Sequence, residues 1–321
     1  MTREDSRRRR AWRPVDGIVL LDKPAGTSST QALQRVRRLL QAAKAGHAGT
    51  LDPMATGMLP LCFGQATKAS GQLLGSAKAY RACIRLGTAT DTGDTEGQVI
   101  SKSPVPALSH EQVLRVLDAF VGPSMQVPPM HSALKHQGRP LYQLARRGEE
   151  VPRAPRAISI RHIGLIRLEA HEIEFEVVCS KGTYVRVLGE EIASRLGTAG
   201  HLGALRRLWV EPFDQDPMVT MGEIERWAGT GEPPAGFPEC LLPVDAAFRQ
   251  LPRLDLTAGQ AGHLRQGRVL EAPAGVEPAE RIAAYDQTGH FLGLVECAAD
   301  GCVRVVRLFV PGAAGGNDKS A

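Results

Sequence analysis

The sequence lacks the features of a secreted, metal-binding or membrane-spanning protein. Its six cysteines are scattered, none forms a Cys-x-x-Cys pair, and the closest two are Cys297 and Cys302. This spacing argues against a zinc site and a disulfide framework, and it favours a reducing cytoplasm. Apolar runs such as Ile18–Leu21 are far too short to cross a bilayer. We therefore expect a cytoplasmic protein with no metal ion and no membrane partner.

An export signal is also missing from the N-terminus. Arg7–Arg10 provide positive charge, but Ala11–Asp16 follow where an apolar segment would have to begin. We interpret residues 1–14 as a disordered basic arm, which is either a solvated tail or a contact for RNA. The formal net charge of +5 and the pI of about 9.0 fit a nucleic-acid partner without requiring one.

Helix and strand signals alternate irregularly along the chain. Gly17–Leu21 is typical of a buried strand and is followed by turn residues at Asp22–Gly26. Ser28 or Ser29 can cap a helix whose apolar residues recur at helical spacing, and Ser109–Gln112 is a capping box for another helix. Together these signals predict a buried strand and two helices.

Further strands are predicted at Ala79–Leu86 and within Ile158–Cys179, where the second stretch ends in strict alternation of apolar residues. The mixture has no regular strand–helix–strand repeat, so we predict an α+β fold with a central, mostly antiparallel sheet over residues 15–250. About sixty residues, 251–311, have short strand-like runs that suit a small C-terminal β-barrel module.

Two stretches interrupt the pattern of core elements. Residues 127–156 contain five prolines and a basic excess, which is typical of a surface insertion or a binding loop. Residues 229–238, rich in glycine and proline, are predicted to form a linker or a long turn. We expect the last residues, 312–321, to be a disordered tail.

The segment Gly46–Pro60 concentrates three glycines, two prolines, His47 and Asp52 in fifteen residues. Glycine permits positive φ and close backbone approach, as in a loop that surrounds a ligand. A purely structural interpretation is also open, because Asp52-Pro53 is a common start of a helix, with Asp as N-cap and Pro in the first turn.

Six collinear motifs decide between these interpretations, because they resemble the bacterial tRNA pseudouridine-55 synthase (TruB) family. The likeness runs in order from Val15 to Pro311, nearly the whole chain. The motifs are Gly17–Gly26, Gly46–Pro60, Arg81–Asp94, Val127–Lys135, Lys181–Gly189 and His201–Arg207.

The resemblance implies a role for individual residues. Asp52 matches the catalytic aspartate, Arg186 the arginine paired with it, and Tyr80 the tyrosine that stacks on the target base and is a candidate for the proton step at C5. The substrate-binding positions implied by the likeness are His47, Tyr80, Tyr184 and Leu205. The insertion at 127–156 matches a segment that grips the T-arm of tRNA, and 251–311 matches a PUA-type RNA-binding module, for which the acceptor side of tRNA is the expected contact.

The reaction that the resemblance implies is consistent with a site of this kind. Conversion of uridine to pseudouridine breaks the N1–C1′ bond, rotates the uracil and joins C5 to C1′, so no cofactor is expected. It requires an ionised carboxylate, which a nearby guanidinium keeps charged against the desolvation that would raise its pKa. The sequence leaves open whether Asp52 attacks C1′, adds to C6 or acts as a base. It also does not show that Tyr184 and Arg186 converge, since residues two positions apart share a face in a strand but point to opposite sides of a helix.

Other functions fit the sequence less well. Asp91-Thr-Gly93 occurs in aspartic proteases, but no second motif is present and the preceding apolar strand is missing, so Asp91 and Asp94 are interpreted as turn residues. A uridine methyltransferase would need a cysteine nucleophile and a methyl-donor site. The main alternative is a non-catalytic tRNA-binding or folding factor on the same scaffold, which would not need Asp52, Tyr80 and Arg186 together. We predict a monomeric isomerase whose partner is tRNA.

Overall fold

The computed structural model describes residues 12–228, 240–273 and 275–309. Its strands are β1 Gly17–Lys23, β2 Ala45–His47, β3 Thr56–Phe63, β4 Lys78–Leu86, β5 Thr88–Thr90, β6 Val99–Lys102, β7 Gly122–Gln126, β8 Lys135–His136, β9 Arg139–Pro140, β10 Arg156–Leu168, β11 Glu172–Cys179, β12 Gly200–Val210, β13 Val219–Thr220, β14 Arg253–Leu256, β15 Leu270–Glu271, β16 Ala279–Asp286, β17 Phe291–Cys297 and β18 Cys302–Leu308.

The helices are α1 Ser29–Leu39, α2 Ser70–Gly75, α3 His110–Asp118, α4 Leu141–Ala145, α5 Val185–Arg195, α6 Met221–Ala228 and α7 Ala258–Arg265, with 3₁₀ turns at Gly64–Ala69 and Val244–Phe248. Within the described ranges, no helix has the length and apolar character needed to span a bilayer.

A nine-stranded sheet organises the larger domain. Its order is β13-β1-β3-β12-β4-β11-β10-β7, and β2 pairs with β3. The β1/β13 and β3/β12 pairs are parallel, whereas the other neighbours are antiparallel. The predicted α+β fold with a mostly antiparallel sheet is therefore confirmed. Helices α1, α3 and α5 cover one core, built from the alternating inward residues of β3, β4, β11 and β12.

Local signals in the sequence set the boundaries of several elements. Ser28 caps α1 and Ser109 caps α3, each in a complete capping box. In β11 the buried positions alternate with half-buried ones over its whole length, as the apolar alternation predicted. Strand β1 extends to Lys23, two residues beyond the predicted end, because Asp22 and Lys23 still pair with Met58 and Gly57 of β3.

The C-terminal module is a five-stranded sheet of order β14-β16-β17-β18-β15 covered by α7, a curled half-barrel in keeping with the expected small β-module. It packs against the larger domain through an aromatic cluster. Phe248, which follows the large sheet, lies 5.5 Å from both Phe291 and Phe309 of the module, between ring centroids. The Nζ of Lys68 donates to the carbonyl oxygen of Leu308 at 3.0 Å across the same boundary.

The N-terminal boundary differs from the prediction. The backbone of Arg13 bonds to Gln41 and Ala43, at 2.6 and 2.9 Å, and Trp12 stacks on the guanidinium of Arg37 at 4.6 Å. Trp12 and Arg13 are thus part of the folded domain rather than of a disordered arm. The remaining predicted arm (residues 1–11), the linker at 229–238 and the tail at 312–321 lie outside the described residues.

Candidate active site

Asp52 lies in a loop that leads into β3, and it does not start a helix. Residues 53–54 form a turn, the amide of Ala55 donates to the carbonyl oxygen of Asp52 at 3.1 Å, and β3 begins at Thr56. The interpretation of Asp52-Pro53 as a helix N-cap is therefore wrong. The backbone after Asp52 forms a turn and then a strand, so there are no helix amides for its side chain to cap. The carboxylate is therefore available to another partner.

Two elements fix this loop from outside. The hydroxyl of Ser29, at the start of α1, accepts from the amide of Leu51 at 2.8 Å and donates to its carbonyl at 3.1 Å. The Nζ of Lys23, whose side chain is fully buried at the end of β1, donates to the carbonyls of Pro24, Thr27 and Pro53. Asp52 is thus held between two well-packed supports, and about a third of its side chain stays exposed (34%).

Arg186, in the first turn of α5, is the direct partner of Asp52. Its Nε lies 3.0 Å from Oδ2 of Asp52 and 3.6 Å from Oδ2 of Asp94. Its two terminal nitrogens donate to the carbonyls of Thr92 and His131, both at 2.6 Å. A planar guanidinium with donors in fixed directions can satisfy all four partners at once, which a lysine could not. The predicted Asp52–Arg186 pair is present in the structure.

Asp94 is a second carboxylate of the site that the sequence interpretation assigned only to a turn. It does stabilise that turn, since its Oδ1 accepts from the Thr92 hydroxyl at 2.6 Å and from the Glu96 amide at 3.0 Å. Its other oxygen faces Arg186, and only 5% of its side chain is exposed. The signal that could have revealed this role is the same Asp91–Asp94 motif, because a turn with a buried aspartate needs a cation nearby.

Burial and neighbouring charges act in opposite directions on the Asp52 carboxyl. Burial is the largest influence and raises its pKa, while Arg186 lowers it, Asp94 raises it again, and Lys23 lowers it. The net pKa lies above the ordinary value. Burial also lowers the pKa of Lys23 to about 8, against the opposing influence of Asp52. The carboxylate is therefore partly desolvated and more basic than an exposed aspartate.

Tyr80 lies in β4 opposite Val177 of β11 and Arg207 of β12. It belongs to the main core and is only 8% exposed. Burial raises the pKa of its phenol, the guanidinium of Arg207 opposes that rise, and Asp52 is close enough to add to it. Tyr80 is consequently a neutral phenol within electrostatic reach of the Asp52 carboxyl, and little of it reaches solvent.

Arg207 is a buried cation that the sequence analysis missed. It is 1% exposed, and its guanidinium donates to the carbonyls of Met58 at 2.6 Å and Gly49 at 3.0 Å, which ties β12 to the Asp52 loop. The close approach of the β12 backbone to β3 depends on Gly57 (φ +97°), since a Cβ there would lie 2.1 Å from the Arg207 carbonyl oxygen. Arg207 stands two residues after the apolar Leu205 in a strand, and this period-two placement was the available signal.

The other predicted substrate positions lie around this centre. His47 is on β2, and burial and the Arg207 charge both lower its pKa, so it is a neutral imidazole. Tyr184 is the N-cap of α5, two residues before Arg186, in an extended conformation that brings both residues to one end of the helix. Leu205 lines a cleft of about 390 Å³ together with Met54 and Thr56, which follow Asp52 in the chain.

Within the described part of the chain, no group of three or more His, Cys, Asp and Glu side chains is arranged to hold a metal ion. The chemistry available to this arrangement is that of a partly exposed carboxylate. It is oriented by a buried guanidinium and adjoined by a phenol, and such a group can attack carbon or accept a proton.

Comparison with known proteins supplies the family. The description "TruB family pseudouridylate synthase (N terminal domain)" matches residues 37–185, and two C-terminal descriptions of the same enzymes match residues 186–249 and 252–309. The chain belongs to the TruB family. Relatives named "tRNA pseudouridine synthase B" include one from Dechloromonas aromatica, 47% identical over 94% of this chain and 97% of the relative. Another, from Aromatoleum aromaticum, is 50% identical over 92% and 93% of the two chains.

Solved structures agree on the fold. A chain of a Cbf5–Nop10–Gar1 complex superposes with a TM-score of 0.72 at 24% identity, covering 92% of this chain and 85% of that one. A chain from an H/ACA RNP bound to a substrate RNA containing 2′-deoxyuridine superposes with a TM-score of 0.71 at 22% identity, with 92% and 85% covered. The predicted fold is thereby confirmed. The family description and the relatives named tRNA pseudouridine synthase B confirm TruB membership and the predicted isomerase class.

Proposed function

We propose that this TruB-family chain isomerises the T-loop uridine of tRNA, at position 55, to pseudouridine, with Asp52 as its catalytic carboxylate. The observation that carries the proposal is the pair of Asp52 and the buried Arg186, 3.0 Å apart, in a chain that is 47% identical to an enzyme named tRNA pseudouridine synthase B. A factor that only bound RNA would gain nothing from a buried guanidinium held on two carboxylates, because desolvating these charges costs free energy.

The chemistry assigns a task to each group. When the N1–C1′ bond breaks, its electron pair leaves with the uracil, and an ionised Asp52 either bonds to the sugar or removes a proton from it. After the uracil rotates, C5 bonds to C1′ as the Asp52–sugar bond breaks or as Asp52 returns the sugar proton; C5 then loses its hydrogen as a proton, while N1 gains one. The Tyr80 hydroxyl is the neighbouring group that can take part in this proton transfer. Arg186 keeps Asp52 ionised and oriented until it reacts.

Substrate access requires the uridine to leave the folded T-loop, which costs roughly a few kcal/mol. Contact of the base with Tyr80 would offset about 1–3 kcal/mol of this. We assign the other contacts to His47, Tyr184 and Leu205, and grip on the T-arm to the insertion at 127–156. That insertion exposes most of its cations, and Arg146 lies 5.7 Å from the ring of Tyr142. We further propose that the C-terminal module contacts the acceptor side and that the enzyme acts as a cytoplasmic monomer.

Tritium release tests the reaction and its position together. A tRNA transcript labelled with tritium at uridine C5 releases the label to water when C5 bonds to C1′, and without a methyl donor in the assay C5 methylation cannot release it. We expect release from the intact transcript, at most one equivalent per tRNA, and none from a transcript in which cytidine replaces the T-loop uridine. Tight binding of the intact transcript without any release would refute the synthase assignment and support the non-catalytic folding factor.

A further inference from the structure

Gln126, the last residue of β7, contacts both the insertion and the active site. It pairs across the sheet with Arg156, the first residue of β10, so these two residues close the base of the insertion that runs between them. The Gln126 side chain is 3% exposed and points away from the insertion to the start of α5. A buried amide is costly to desolvate unless all its polar atoms are bonded.

Both atoms of this amide are bonded to one residue. Oε1 of Gln126 accepts from the amide of Tyr184 at 2.8 Å, and Nε2 donates to the carbonyl oxygen of Tyr184 at 3.2 Å. Tyr184 is the N-cap of α5 and makes no capping bond with its own side chain. Gln126 therefore gives the N-cap amide of α5, from another strand, the acceptor that the Glu or Gln at the third helical position supplies in a capping box.

The first turn of α5 carries the catalytic arginine. Arg186 follows Tyr184 by two residues, so the position of the helix start sets the position of the Arg186 guanidinium relative to Asp52. A second bond joins the same parts, because Arg186 donates to the carbonyl of His131, which belongs to the insertion five residues after Gln126. The base of the insertion and the Asp52–Arg186 pair are thus connected by three hydrogen bonds over a short path.

We propose that Gln126 is a positioning residue for pseudouridine formation: it clamps Tyr184 so that the first turn of α5 presents Arg186 to Asp52, and it thereby couples the RNA-contacting insertion to the catalytic pair. This inference rests on the function proposed above and adds a residue to its machinery. Gln126 contacts neither Asp52 nor the reacting atoms in this scheme and acts only through the backbone of α5.

The test compares two glutamines that make the same bond. Gln112 accepts from the backbone amide of Ser109 at 2.8 Å at the start of α3, outside the site. Gln112→Met removes this bond, and Gln126→Met removes the matching bond to the Tyr184 amide together with the bond to the Tyr184 carbonyl, while both changes keep side-chain length. For both variants and the wild type we would measure the melting temperature. Single-turnover tritium release at saturating enzyme, its pH profile and the Kd for tRNA would then be measured well below the lowest melting temperature.

We expect Gln126→Met to lower the single-turnover rate by roughly 10- to 100-fold, the size expected for a misplaced catalytic group, with little change in Kd. The acid limb of its rate profile should move to higher pH, because Asp52 loses part of its pairing with Arg186 while its other charged neighbours, Lys23 and Asp94, stay in place. Gln112→Met should lower the melting temperature and leave the rate and the limb unchanged.

A Gln126→Met enzyme whose rate matches the wild type, or whose rate falls without a shift of the acid limb, would overturn the proposal. Should this variant not fold, Gln126→Glu, which keeps an acceptor for the Tyr184 amide, takes its place in the same comparison. A wild type that releases no tritium would instead refute the proposed function, so the two failures are distinguishable.

Discussion

The catalytic domain and the C-terminal module differ in where their charged side chains lie: the domain buries several of them, and the module keeps its own at the surface. Among the described residues, the domain buries five charged side chains: Lys23, Asp94, Arg186 and Arg207 at or next to the site, and Lys78 at the start of β4. The described part of the module buries no charged side chain, and its ion pairs, such as Arg253–Asp255 and Arg304–Asp300, lie at the surface. Burying a charge lowers the free energy of unfolding unless the charge is paired. The buried charges therefore mark the part of the molecule where function, rather than stability, explains the choice of residue.

The packing of the two regions shows the same contrast. In the module, strands β16, β17 and β18 bury apolar residues such as Ile282, Val295 and Val303 around α7, an arrangement that serves stability. In the domain, the apolar core continues up to Tyr80 and Leu205 and then gives way to a network of carbonyls, guanidinium groups and carboxylates. A polar network in a low-dielectric surrounding holds its members in one geometry, which catalysis requires.

The largest effect should follow from removing the buried guanidinium. Arg186→Met leaves Asp94 buried without a cation and two carbonyls, of Thr92 and His131, without donors. We expect loss of about 3–5 kcal/mol from the free energy of unfolding, as for other broken buried ion pairs, and loss of tritium release. Denaturant unfolding and single-turnover assays measure the two quantities. A stable and active Arg186→Met enzyme would contradict the account of the site.

An intermediate effect is expected from pH. Because burial raises the pKa of Asp52, the carboxylate is protonated at a higher pH than an ordinary aspartate. The rate should therefore fall as pH decreases through that raised pKa. The stability contribution has the opposite sign: between the ordinary and the raised pKa the folded state binds more protons than the unfolded state, so stability increases as pH falls through this window.

Rates and unfolding midpoints measured on one pH series, for wild type and Asp52→Asn, test both the expected fall in rate and the expected gain in stability as pH decreases. The wild type alone should show the stability gain at low pH that belongs to Asp52, because asparagine does not titrate. A difference between the two proteins that is independent of pH would show that Asp52 has an ordinary pKa in the folded state.

The smallest effect is expected in the module. Arg253 pairs with Asp255 at 2.8 Å on the surface, and its guanidinium lies 3.9 Å from the centre of the Tyr285 ring. Exposed pairs of this kind often contribute nothing measurable, because water screens the charges and ordering the side chains costs entropy. Arg253→Met should leave the melting temperature and the tritium-release rate near those of the wild type. A loss of rate comparable with that of Arg186→Met would remove the distinction between the two regions.

Much of the fold was predictable because its signals are local. The capping boxes at Ser28 and Ser109 and the alternation in β11 depend on neighbouring residues, and the structure shows each of them. Asp52 and Arg186 were found through collinear motifs, since residues more than a hundred positions apart carry no local sign of their contact. The resemblance supplied what periodicity could not.

The errors have a common physical cause. Asp52-Pro53 has the local chemistry of a helix start, but its carboxylate pairs with the distant Arg186 instead. Asp94 is the turn residue that the sequence predicted, and its second role, facing Arg186, again depends on a distant partner. Arg207 was missed because an arginine in a strand is normally at the surface, whereas here the carbonyls of Met58 and Gly49 accept hydrogen bonds from its buried guanidinium. Whether a charged residue is buried depends on residues distant in the sequence, so local patterns do not predict it.

Asp52→Asn tests the central claim most directly, because asparagine keeps the size of the side chain and removes only its ionisable oxygen. Single-turnover tritium release from the C5-labelled transcript, with Kd for tRNA and melting temperature measured on the same protein, separates chemistry from binding and folding. We predict a rate lower by roughly a thousand-fold or more, beyond ordinary proton-transfer contributions, with Kd and melting temperature close to the wild type. An Asp52→Asn enzyme that releases tritium at near the wild-type rate would show that another group performs the reaction.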